Sequence, residues 1–129
     1  MTDRVELLSY AEQVLDGTVR LGVRGPRTAA LLARCAFEDW LDEMSAPWAT
    51  QAETDRPPTT SSKLVALGAL HGNELGEQAK TAWNGLSRAV HHHAYELQPS
   101  VTEVRYLVRL VRDACTGSGP EPAGPILKD

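Results

Sequence analysis

The chain is poor in aromatic residues and cysteines, and it has no long apolar run. Aromatics make up only 5% of its 129 residues: Phe37, Trp40, Trp48, Trp83, Tyr10, Tyr95 and Tyr106. A core with so few rings must come mainly from Leu, Val and Ala, a mixture that suits helices packed on helices better than sheets. No stretch approaches the roughly 18 apolar residues needed to span a bilayer, and the polar start Met1-Thr2-Asp3-Arg4 is unlike a secretory signal. The expectation is a cytoplasmic protein with no membrane segment. Two cysteines, Cys35 and Cys115, provide neither a disulfide framework nor the second pair of a metal knuckle. Cys35 lies in an apolar run and is expected as a buried free thiol. Strand-like alternation, internal repeats, a Gly-rich phosphate loop and a serine elbow are also missing. The net charge of −4 excludes a global positive field for duplex nucleic acid, but a local patch for a short RNA remains open.

What is present is ordinary for one globular unit: 42% hydrophobic and 23% charged residues in a length that closes a single core. Residues 1–115 are expected to form that domain and residues 116–129, with three Gly and three Pro, a mobile tail. Leu7, Leu8, Ala11, Val14 and Leu15 recur at helical spacing, which predicts a helix over 4–16 stopped by Gly17. A second helix is predicted over 27–44, with Ala30, Ala33, Phe37, Leu41 and Met44 on one face and a solvated acidic face of Glu38, Asp39, Asp42 and Glu43. A loop over 45–59 follows from Pro47, Pro57 and Pro58, with Trp48 in it as a ligand contact or a tucked anchor. Thr60, Ser61 and Ser62 offer N-caps to a third helix over 63–71. The fourth helix is predicted to be the longest, over 74–97, and a fifth starts at the capping box Ser100-Val101-Thr102-Glu103 and runs to about 114. The fold class read from this pattern is all-α, a compact antiparallel bundle of about five helices.

Chemistry concentrates in the segment Gly85-Leu86-Ser87-Arg88-Ala89-Val90-His91-His92-His93-Ala94-Tyr95-Glu96-Leu97. On a helix at about 100° per residue, Ala79, Trp83, Leu86, Val90, Ala94 and Leu97 share the core side and Arg88 points nearly opposite. Gly85, Ala89, His92 and Glu96 fill an arc of about 140° between Arg88 and His93, small enough at one end for another helix, or a second copy, to approach. Consecutive histidines diverge by about 100°, so His91, His92 and His93 cannot converge on one metal ion. Arg with His suits phosphodiester chemistry instead. Attack of a ribose 2′-hydroxyl on its own phosphate needs a group that moves protons and a cation for the developing charge. Ser87 has no evident base and is expected to bond back to the preceding turn. Arg105, Arg109 and Arg112 form a stripe about 60° wide on the fifth helix, open to a phosphate backbone or to the simpler role of a wet, dipole-complementing face. Arg20, Arg24 and Arg27 around the first loop allow the same two readings.

Arg88, four residues, then His93 resembles the motif of the HEPN family, small helical bundles whose late helix carries Arg, four to six residues and His. The resemblance covers about residues 4 to 115. It implies a metal-independent endoribonuclease, of toxin or defence type, with Arg88 and His93 as catalytic residues and RNA as substrate. It also implies a homodimer that brings two motifs into one cleft, an antitoxin or other partner protein, and no cofactor. The alternative within the same family is a non-catalytic module that binds a partner protein or a nucleotide. His92 lies closer to Arg88 around the helix and is the rival to His93.

Overall fold

The computed structural model describes residues 3–49, 58–91 and 98–117. Five α-helices and one short 3-10 turn, with no strand among the described residues, make up the fold: α1 (Arg4–Asp16), the turn Gly22–Arg24, α2 (Gly25–Ala49), α3 (Thr60–His71), α4 (Asn73–Val90) and α5 (Val101–Gly117). The expected all-α bundle is what forms. Helix α1 has the predicted bounds. Asp3 and Glu6 close a reciprocal capping box at its start, and Gly17 ends it in the left-handed region at φ 86°. Ser100 Oγ accepts from Glu103 N at 3.0 Å and opens α5 as its sequence implies.

Helix α2, not α4, is the longest and central element, and α1, α3, α4 and α5 all pack on it. Its inner face is a run of alanines, Ala29, Ala30, Ala33 and Ala36, none of them exposed, followed by Phe37, Trp40 and Leu41. Small side chains let neighbouring helices come close, and the rings then fill the wider part of the core. Helix α2 also continues through Pro47 to Ala49, past the loop start expected at Ser45. Proline removes one donor near the helix end, while buried Ser45 and half-buried Trp48 hold the segment on the bundle. Helix α3 begins earlier than expected too, because Thr59 is the cap: its Oγ1 accepts from Ser62 N at 3.1 Å.

Ion pairs fix the directions in which the helices run. Arg105 Nη1 lies 2.8 Å from Asp16 Oδ1, and Arg112 grips Glu12 with two bonds of 2.8 and 3.1 Å, so α5 runs antiparallel to α1. The arginine stripe of α5 is therefore an interhelical clamp at two of its three positions and not a phosphate track; of the three, Arg109 alone is exposed without an ion pair among the described residues. The acidic face of α2 is an anchor as well as a wet surface. Asp39 and Glu43 hold Arg4 of α1, and Asp42 holds Lys63 of α3 at 2.6 Å. Burial opposes the charge on Arg4, but the hydrogen bond and charge of Glu43, with Asp39, outweigh it and raise its pKa.

Two glycines set the spacing of the α3–α4 hairpin. A Cβ on Gly76 would lie 2.7 Å from Gly68 Cα and 3.3 Å from Gly68 N, and backbone cannot move aside without spreading the helices. Gly76→Ala is expected to cost about 1–3 kcal/mol in denaturant unfolding. Unchanged stability would mean that the hairpin is not in backbone contact.

The cysteines differ from expectation. Cys35 is exposed, on the solvent side of α2, whereas Cys115 is half-buried. Burial pushes the Cys115 thiol up from its ordinary value near 9 to about 11, against the pull of Arg4 and Arg112. In that window the unfolded chain loses the proton first, so the folded state binds more protons and stability falls as pH rises. The wild type should lose stability more steeply than Cys115→Ala between about pH 9 and 11. Parallel pH profiles would show that Cys115 does not contribute.

Candidate functional site

The first turns of α2 and the last turns of α4 meet at one end of the bundle. Arg27 Nε donates to Val90 O at 3.0 Å, taking up one of the carbonyls that a helix end leaves open. Helix α4 stops there. His91 caps it at φ −91°, ψ 48°, its N–H bonded to Ser87 O at 2.9 Å. The end therefore comes seven residues before the one predicted at residue 97. Three successive histidines are weak helix formers, and Arg27 stabilises the terminus at Val90. His92, His93, Ala94, Glu96 and Leu97 lie outside the described residues, as do residues 118–129 of the expected tail.

Of the two predicted catalytic residues, Arg88 is exposed on the last turn of α4 and makes no ion pair among the described residues. His93 lies outside them. The inward face of α4 is turned from the predicted one. Ala79, Ala82, Gly85, Leu86 and Ala89 are buried, whereas Trp83 and Val90 are only partly covered. The strip expected to meet a second copy is thus used within the chain at Gly85 and Ala89. Leu107 of α5 packs so closely there that a Cβ on Gly85 would lie 2.6 Å from Leu107 Cδ2. Ser87 does not bond back to its helix either, since its buried Oγ has no partner among the described residues.

Arg34 is the residue of this end that sequence reasoning missed. Its guanidinium lies 4.7 Å over the Trp83 ring, its Nη1 is 3.1 Å from His91 Nε2, and its Nε is 3.9 Å from Glu38 Oε2. Trp83 in turn stacks on Phe37 with ring centroids 5.9 Å apart. The spacing Arg27, Arg34, Phe37 is a helical one and could have placed both arginines on the face of α2 that meets α4.

Arg24 and Arg27 lie where α2 starts and Arg88 on the last turn of α4, the two ends that Arg27 joins through Val90 O, and all three are exposed and without ion pairs among the described residues. The clustered carboxylates of α2 lie toward its other end. Such a surface can hold anionic oxygens with guanidinium forks. Among the described residues no three His, Cys, Asp or Glu side chains cluster as metal ligands, and no helix is long and apolar enough to cross a membrane. Comparison of the chain with protein-family models, with curated proteins and with solved structures gives no match.

Proposed function

We propose that this end of the bundle binds the phosphates of RNA and that the chain is a HEPN-like, metal-independent endoribonuclease of toxin or defence type. The observation that carries the reading is the position of Arg88, exposed and without an ion pair among the described residues on the last turn of α4, three residues ahead of a run of three histidines. In this scheme a ribose 2′-hydroxyl attacks its own 3′-phosphate and gives up its proton to His93. The P–O5′ bond breaks, leaving a 2′,3′-cyclic phosphate and a 5′-hydroxyl once that oxygen takes a proton. Arg88 holds the negative charge that builds on the phosphoryl oxygens. A homodimer facing two such ends belongs to the proposal, with an antitoxin or other partner protein to mask them.

The test is direct. Purified protein should cut RNA in the presence of a chelator and leave the 2′-deoxy analogue intact. The protein should also sediment as a dimer at high micromolar concentration, and a monomer would remove the composite cleft. A second reading, a non-catalytic module binding a partner protein or a nucleotide, draws on a specific observation. Helix α4 ends at Val90, so its regular geometry does not carry the spacing from Arg88 to His93. Binding without any RNA cleavage would select it.

A further inference from the structure

We infer that Arg34 is a positioning residue for His91, holding its imidazole in the tautomer that carries the proton on Nδ1 and so offering Nδ1–H to an anionic oxygen. A guanidinium has five donors and no acceptor, and it keeps its charge throughout the working pH range. The 3.1 Å contact from Arg34 Nη1 to His91 Nε2 therefore has one polarity: Nε2 accepts. A neutral imidazole with Nε2 as acceptor has its single N–H at Nδ1.

Arg34 is well braced for this task. Its guanidinium rests on Trp83, Trp83 stacks on Phe37, and Phe37 is fully buried, so a continuous stack runs from the core to the guanidinium that meets the surface imidazole. Glu38, one turn along α2, steadies the guanidinium from the side. The backbone of His91 is pinned as well, through its own N–H to Ser87 O and through Arg27 on the neighbouring Val90 carbonyl. A free imidazole favours the opposite tautomer, with the proton on Nε2, so the arrangement leaves a signature that mere packing would not.

The consequence rests on the proposed RNA site. With Nε2 occupied and Nδ1 protonated, His91 donates to a phosphate oxygen beside Arg88 and does not take the proton of a 2′-hydroxyl. That work falls to a later histidine of the run.

The tautomer is read by 15N NMR of the full chain at about pH 8.5, where an imidazole is ordinarily neutral, with His91 assigned by loss of its signals in His91→Gln. In the wild type, Nε2 should resonate as the bare nitrogen and Nδ1 as the N–H. Arg34→Met, which keeps the length of the side chain but no donor, should shift the signature toward Nε2–H. A wild-type proton on Nε2 overturns the inference by itself, whether or not Arg34→Met folds. The functional arm uses a short single-stranded RNA. His91→Asn, which keeps an N–H near the place of Nδ1, should hold affinity within about twofold, and His91→Gln should weaken it about tenfold or more, as loss of a bond to a charged group does. Equal weakening by both overturns the donor role. If the RNA does not bind at all, the proposed function fails while the tautomer measurement still stands or falls on its own.

Discussion

Replacing Trp40 by alanine is expected to destabilise the fold by about 3–5 kcal/mol, the largest stability effect of any single side chain here. Trp40 is 2% exposed, sits on the helix against which every other helix packs, and meets Phe37 with ring centroids 5.6 Å apart. Truncation removes the whole indole from a core whose other members are mostly alanine, valine and leucine. Those side chains are too short to refill the space, so the loss includes a cavity as well as buried area. Domains of this size have only about 5–15 kcal/mol in hand, so the variant should unfold at markedly lower denaturant with an unchanged slope. A change below about 1 kcal/mol would mean that α2 is not the centre of the core. Trp83, half-buried at the surface beneath Arg34, should lose less when truncated.

On the proposed function, Arg88→Ala is expected to lower RNA cleavage by about 10²–10³-fold, the loss that follows removal of one group stabilising transition-state charge. Its effect on stability should stay within about 0.5 kcal/mol, because the side chain is exposed and makes no ion pair among the described residues. Alanine at His93 should match it, and the double variant should be little worse than either single if the two act as one unit. Cleavage that survives at His93→Ala but vanishes at His92→Ala would move the proton-transfer role by one residue. Cleavage by Arg88→Ala at the wild-type rate would remove Arg88 from the chemistry.

How much was legible in the sequence depended on whether the signal was local. Helix α1 could be read to the residue, because Gly17 and the spacing of its leucines lie within the helix and its first turn outside. The start of α5 was equally clear in Ser100 and Glu103. The phase of α4 was misjudged for a physical reason. Hydropathy gives weight to Trp83 and Val90, but the buried face carries Ala82, Gly85 and Ala89, small residues of weak hydropathy, with Gly85 close against Leu107 of α5. Gly85 and Ala89 read in the sequence as room for a second copy. Pro47 reads as a break, although a proline near a helix end removes only one donor from a segment held by its own burial. At the site, Arg88 was legible from its outward phase. Arg34 was not, since its link to His91 joins residues 57 apart in sequence and only the crossing of α2 and α4 creates it.

The exposed arginines at one end of this net-negative molecule, without ion pairs among the described residues, set a local positive patch against an overall negative charge. A polyanion approaching it feels weak repulsion from the whole, but also a torque that turns the arginine-bearing end forward at separations of about a Debye length, roughly 8–10 Å in physiological salt. Orientation, not overall attraction, is then what the surface charges contribute to encounter. The carboxylates of α2 add little to this, because each already has a cationic partner in Arg4, Arg34 or Lys63.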